Sequence, residues 1–183
     1  EFRRVLFRSK RWQPLSVHLR NVASIAKAFA EPLGFGAEAE LAGLLHDLGK
    51  HSARFQKRLR DPRVHGINHW AAGAVHASTL NAWAVAFATD GHHTGMPAKN
   101  DNSTGISLRQ TVEKFSAPET RDELTGQCPE SLDELHKRLA NENLQCPEFS
   151  AKSIEDRFAE ALRTRMLFSC LVDARSEEHT SEL

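Results

Sequence analysis

The segment that most constrains the fold of this chain runs from Leu41 to Lys50 and reads LAGLLHDLGK. Its leucines recur at the three- and four-residue spacing of a helix, which predicts one buried face. The adjacent His46 and Asp47 follow directly, and Gly49 is typical of a helix C-terminal stop. A buried helix that ends in a histidine and a carboxylate indicates a metal centre, so we expect other histidines of the chain to converge on it.

The same helical period predicts helices over residues 16–30, 37–48 and 69–89, the last of them broken near Asn81. Side chains suited to helix N-caps predict three further helices, which begin at Ser52, Ser131 and Ser153. The sequence contains no alternating strand pattern. We therefore expect an all-α domain, a helical bundle with the metal site at its centre.

Composition excludes several classes of protein. The 183 residues fit one domain, and 24 basic residues balance 24 acidic ones, so charge alone gives no sign of nucleic-acid binding. Three widely separated cysteines without a Cys-x-x-Cys pair predict reduced thiols and a cytoplasmic location. No apolar run is long enough to span a bilayer, so we expect no membrane partner.

Both ends of the chain resemble translated sequencing-adapter sequence. We interpret residues 1–9 and 175–183 as foreign tails and residues 10–174 as the domain itself. The native protein is then expected to continue past Ala174, so the domain would be truncated at its C-terminus.

Two pairs of adjacent residues carry the metal hypothesis. On a regular helix His46 and Asp47 would point roughly 100 degrees apart; they could bind one ion together, or the carboxylate could bridge two. His92 and His93 follow Gly91, where the backbone can turn both towards one site. Imidazole and carboxylate ligands suit manganese, iron, cobalt or nickel. Isolated histidines are more often surface or core residues, and we leave out three: His65, His76 and His136.

Further segments accompany the His46-Asp47 pair: LxxHLxxVA at 15–23, Phe55-Gln56, NHWAAGA at 68–74, GHHxGxP at 91–97 and LFSxLVDA at 167–174. Together, over residues 12–174, they resemble the HD superfamily of metal-dependent phosphohydrolases. More narrowly, they resemble the HD nuclease domain of the type I CRISPR-associated helicase-nuclease. One position departs from that pattern, since Trp70 stands where the family more often has a small hydroxyl residue.

The resemblance implies two divalent transition-metal ions that share the carboxylate of Asp47. The remaining ligands of the first ion would be His18, His46 and Asp173, and those of the second His69, His92 and His93. Two such ions can activate water and stabilise the leaving oxygen of a phosphodiester. Lys50 would neutralise charge on the phosphate, so Asp47 and Lys50 are the expected catalytic residues.

The activity implied by the resemblance is endonucleolytic cutting and 3′-to-5′ degradation of single-stranded DNA in antiviral CRISPR interference. The implied partners are a DNA helicase, fused or separate, and a crRNA-guided surveillance complex. The basic side chains after the motif could track a DNA strand or form an ordinary solvated helix face, and the sequence favours neither: Lys50, Arg54, Lys57, Arg58 and Arg60.

Two other functions stay open at this point. The chain could be an HD phosphohydrolase that acts on nucleotides or cyclic nucleotides with the same metals, or an inert helical module that serves as a docking surface. Phe55-Gln56 and Gly73-Ala74 favour the nuclease over the nucleotide hydrolase. The presence of every expected ligand argues against the inert module.

Overall fold

The computed structural model describes residues 4–6, 12–61, 63–65, 67–93, 95–97, 107–116, 130–147, 149–150 and 155–180. The structure is mostly helical, which confirms the all-α prediction. Two short strands, β1 (Arg4–Leu6) and β2 (Trp12–Pro14), pair antiparallel. The helices are α1 (Leu15–Ala30), α2 (Gly36–Leu45), α3 (Ala53–Arg58), α4 (Ala71–Thr79), α5 (Trp83–Gly91), α6 (Leu108–Ser116), α7 (Leu132–Asn141) and α8 (Arg157–Thr180).

Helix α1 confirms the prediction for residues 16–30, and it begins one residue earlier. Leu15, Leu19, Val22 and Ala26 recur at helical spacing and are completely buried. This face packs against α2 and α8, while α5 packs against α4 and α8. The core therefore surrounds the C-terminal end of α2, where the His-Asp motif begins.

The second predicted helix, 37–48, is too long at its C-terminal end. Helix α2 ends at Leu45, and the motif continues as a turn followed by a 3₁₀ segment, Leu48–His51. The helix stops because the N–H of Gly49 donates to the carbonyl of His69 at 3.0 Å instead of continuing the helical pattern. His46 keeps a helical backbone, and its N–H still donates to the carbonyl of Ala42 at 2.9 Å. Asp47 departs from the helix, with φ of −116°.

Two glycines permit close contact between backbone segments at this turn. A Cβ atom on Gly49 would lie 2.6–2.9 Å from backbone atoms of His69. A Cβ atom on Gly73 of α4 would collide with the carbonyl oxygen of Leu45. Because neither contact leaves room for a side chain, these glycines bring the motif turn directly against the segment around His69 and α4.

The predicted break in the long apolar segment is confirmed. Helix α4 ends at Thr79 and α5 begins at Trp83, and between them Asn81 takes a left-handed conformation with φ of 55°. Asparagine tolerates this region better than most residues. The break lets α5 pack back against α4 and return the chain towards the motif.

Two of the three predicted helix N-caps are confirmed by the structure, and the third lies outside the described residues. Ser52 accepts a hydrogen bond from the N–H of Phe55 at the start of α3, at 3.2 Å. Ser131 and Glu134 form the reciprocal capping box of α7. Ser153 lies outside the described residues. Helix α6 was not predicted.

Helix α8 continues without interruption beyond Ala174 to Thr180. Its buried face includes Leu167, Leu171, Ala174 and Glu178. Residues 175–180 thus extend the helix of the domain, and their foreign origin stays a prediction. Among the described residues, no helix combines the length and the apolar character needed to cross a bilayer.

Candidate metal centre

Four segments distant in sequence bring their polar side chains to one place. His18 comes from α1, while His46 and Asp47 lie in the turn after α2. His69 precedes α4, and His92 and His93 follow α5. The ligand atoms form two groups, each spanning no more than 4.8 Å: His18, His46 and Asp47; and Asp47, His69, His92 and His93.

Asp47 belongs to both groups, and its two carboxylate oxygens are divided between them. Oδ2 lies 3.3 Å from His18 Nε2 and 3.1 Å from His46 Nε2. Oδ1 lies 3.3 Å from His69 Nε2 and 3.6 Å from His92 Nε2. The two carboxylate oxygens of Asp47 therefore face different groups of histidines.

Backbone carbonyls orient two of the imidazoles. His46 Nδ1 donates to the carbonyl of Gly43 at 2.8 Å, and His92 Nδ1 donates to that of Thr89 at 2.6 Å. A proton on Nδ1 leaves the Nε2 lone pair free to bind a metal. Both Nε2 atoms, together with Asp47 Oδ1, are buried and make no hydrogen bond within the part of the chain that the structure describes. These unsatisfied buried acceptors are chemically suited to divalent transition metals.

Burial lowers the pKa of three imidazoles. It lowers the pKa of His46 to about 4 and those of His69 and His92 to about 3, although the nearby Asp47 acts in the opposite direction. Burial also lowers the pKa of His18, but hydrogen bonds to Asp47 and Glu178 outweigh it, and the net shift is upward. His46, His69 and His92 are therefore neutral at physiological pH, as metal ligands must be.

These shifts predict that the metal-free protein loses stability as the pH falls from 6.5 towards 4. In this window the unfolded chain protonates His46, His69 and His92 while the folded chain does not, so the free energy of unfolding decreases with decreasing pH. Each proton contributes a slope of about 1.4 kcal/mol per pH unit. Urea midpoints measured in a chelator between pH 5 and 7.5 test this.

A matched pair of variants serves as the control for this pH dependence. His92→Asn removes one buried imidazole. We expect it to reduce the slope of the free energy of unfolding against pH by about the contribution of one proton. His65→Asn removes an imidazole at an exposed position, outside the cluster, and controls for the loss of a histidine as such. If the free energy of unfolding depended on pH equally in the two variants, burial of the imidazoles could not be the cause of that dependence.

Lys50 lies against the bridging carboxylate. Its Nζ is 2.6 Å from Asp47 Oδ2, and only 11% of its side chain is exposed. Burial raises the pKa of Asp47, but the opposing effects of Lys50, His46 and His18 hold that pKa well below its usual value. Asp47 is thus an anion at neutral pH, and the side chain of Lys50 lies at the edge of the cluster. The role of Lys50 toward a phosphate stays a prediction.

The structure does not bring Asp173 to the cluster, so its prediction as a ligand is corrected. Its side chain is exposed, whereas Leu171 and Ala174 form the buried face of α8. Successive residues of a helix point roughly 100 degrees apart, and this rotation turns Asp173 away from the other ligands. The described part of the chain places His18, His46, Asp47, His69, His92 and His93 together.

Two contacts from α8 were missed because both residues lie in the predicted C-terminal tail. Glu178 is buried and accepts a hydrogen bond from His18 Nδ1 at 3.1 Å and one from Gln13 Nε2 at 3.0 Å. Arg175 donates to the carbonyl of His92 at 3.0 Å, and its charge contributes to the low pKa values of His46 and His92. Glu178 thus orients a ligand, whereas Arg175 disfavours cations at the site.

The comparison with protein families gives one match, since the model of the HD domain matches residues 15–139. Proteins with this domain are typically metal-dependent phosphohydrolases. The matched range includes all six residues that converge in the structure, and it ends before α8 and Asp173. A search of curated proteins finds no match to the chain.

Proposed function

The chain belongs to the HD-domain family, and from this premise we propose that it is a metal-dependent nuclease that hydrolyses single-stranded DNA. The observation that carries the proposal is the division of the Asp47 oxygens between two groups of histidines. A carboxylate with this arrangement suits two metal ions that act on one phosphodiester. The proposed activity is endonucleolytic cutting with 3′-to-5′ degradation, in antiviral CRISPR interference.

The residues of the two groups would hold the ions. Oδ2 of Asp47, with His18 and His46, would hold one, and Oδ1, with three histidines, would hold the other: His69, His92 and His93. When bound, divalent ions such as manganese, iron, cobalt or nickel lower the pKa of coordinated water and stabilise charge on phosphate oxygens. The ordered imidazoles contribute neutral nitrogen ligands that leave this positive charge largely uncompensated.

The burial pattern supports approach of the proposed substrate from one side of the cluster. His18, His46 and His92 are buried, whereas His93 is exposed and the side chain of His69 is 12% exposed. A phosphodiester would therefore enter past His69 and His93. Access at the protein surface supports a polymeric substrate, because a long strand can reach the ligands without being enclosed.

The short helix α3 supports a strand that extends beyond the cluster. It follows the motif directly, and three of its basic side chains are exposed: Arg54, Lys57 and Arg58. Phe55 on the opposite face packs against the ring of His69, with 5.2 Å between the ring centroids. This contact brings α3 next to His69. We propose that its exposed basic side chains bind phosphates of a strand that extends beyond the cluster, even though the whole chain carries no net charge.

The partners are part of the proposal. We expect a DNA helicase, on the same or a separate chain, to supply the single strand after recruitment by a crRNA-guided surveillance complex. The support is the joint occurrence of the Phe55-Gln56, NHWAAGA and GHHxGxP segments around the HD motif. The structure gives two of these segments a role, because they carry His69 and the His92-His93 pair.

One assay distinguishes this function from the alternatives. The purified protein is loaded with manganese, cobalt or nickel and incubated with circular single-stranded DNA beside deoxynucleoside triphosphates and cyclic dinucleotides. We expect the circle to be cut, and Asp47→Asn to abolish the cutting. Hydrolysis of nucleotides alone would overturn the nuclease in favour of a nucleotide phosphohydrolase. Full metal occupancy without turnover of any substrate would favour an inert docking module.

A further inference from the structure

Trp70 occupies a position beside both accessible histidines. Its ring centroid lies 5.1 Å from that of His69 and 5.4 Å from that of His93. Asn68 fixes the backbone here, since its side-chain oxygen accepts hydrogen bonds from the N–H groups of Trp70 and Ala71, at 3.1 and 3.0 Å. The indole is thus held where a substrate must pass on its way to the buried ligands.

The indole retains surface that can bind a ligand. Trp70 is half-buried, and its ring makes angles of 81° with His69 and 56° with His93, so neither imidazole stacks parallel to it. Its ring nitrogen donates no hydrogen bond to any described residue. A half-buried aromatic ring next to candidate metal ligands has the composition of a nucleobase subsite, because bases stack on aromatic side chains in single-strand binding.

Resting on the proposed nuclease function, we propose that Trp70 is a positioning residue that stacks a nucleobase beside the phosphodiester held at the metal centre. A nucleotide carries its base and its phosphate on the same sugar, so a phosphate near His93 brings the base within reach of the indole. Trp70 thereby makes the centre prefer phosphodiesters flanked by bases. The stacking contact between Trp70 and a base would then contribute to substrate selection, in addition to the residues that hold the metal.

A purely structural role is the competing explanation, because Trp70 also packs against two of the ligands. The two roles predict different substrate dependence. A residue that only orients His69 and His93 affects every phosphodiester equally. A residue that stacks a base affects only strands that have bases.

The test compares a thymidine decamer with a decamer of abasic tetrahydrofuran units, using the full chain loaded with manganese. Trp70→Ala is expected to lower the ratio of kcat/KM for the thymidine decamer to kcat/KM for the abasic decamer by between about 5-fold and 150-fold. Trp70→Phe, which keeps an aromatic face, is expected to restore most of the preference. The ratio of the two rates is independent of how much of each variant is folded.

A binding measurement gives a second readout. Fluorescence polarisation of labelled decamers with the metal-free protein should show the same selective weakening in Trp70→Ala. An equal loss for both decamers, in rate and in binding, would overturn the proposal and assign Trp70 a structural role. If the wild-type protein cuts neither decamer, the nuclease function is wrong, while the binding ratio still decides whether Trp70 recognises bases.

Discussion

Replacing Asp47 with asparagine is expected to remove bound divalent metal from the protein and to lower the proposed nuclease turnover on the order of 1,000-fold or more. The two carboxylate oxygens face separate groups of histidines, so loss of the charge weakens both positions at once. Metal ions contribute several kcal/mol of charge stabilisation to the transition state, which corresponds to this change in rate. Metal content by mass spectrometry and kcat on single-stranded DNA measure the two effects.

Asp173→Asn is the matched control, because it makes the same chemical change in the other aspartate that the sequence motifs single out. Its side chain is exposed on α8, so metal content and kcat should equal those of the wild-type protein. If Asp173→Asn loses metal as completely as Asp47→Asn, Asp173 is a metal ligand and the ligand set must include it.

Replacing Lys50 with alanine will lower turnover on the order of 100-fold while metal content stays at the wild-type level. The Lys50 ammonium is held 2.6 Å from Asp47 Oδ2, at the edge of the cluster, where it can neutralise charge that develops on a bound phosphate. Loss of a single preorganised donor of this kind has an effect of this size in other enzymes. Removing the ammonium also removes a competitor for the Asp47 carboxylate, so metal affinity should not decrease.

Lys27→Ala provides the comparison for this variant. Lys27 is exposed and forms a surface ion pair with Glu40 at 2.8 Å, an interaction that contributes little to stability. It should change neither kcat nor metal content. Metal loss in Lys50→Ala as large as that in Asp47→Asn would show that Lys50 maintains the site itself, and the proposed contact with phosphate would then be wrong.

The helices that carry the cluster were predictable because their apolar spacing is a local property. Leu15, Leu19 and Val22 predict the buried face of α1 without any knowledge of its neighbours. Asn81 similarly predicts the break between α4 and α5, since it tolerates a left-handed backbone. Such patterns depend on residues a few positions apart, so they can be recognised in the sequence without the tertiary structure.

The C-terminal end of α2 could not be predicted from the sequence in the same way. Leu48 continues the helical spacing of the leucines, and the sequence therefore favours a helix through it. In the folded chain the N–H of Gly49 bonds to the carbonyl of His69, twenty residues away, and the helix ends at Leu45. A tertiary hydrogen bond here outweighs a local pattern, and Asp47, between the helix and this bond, has a non-helical φ of −116°.

The amino-acid sequence by itself determined the fold class and the chemistry of the site, because helical periodicity is local and imidazole and carboxylate groups suit the same metals wherever they lie. Only the tertiary structure decided how Asp47 divides its oxygens, that Asp173 points away from the cluster and that Trp70 lies beside His69 and His93. These facts depend on where a helix ends and how it is rotated. Packing between distant segments sets both.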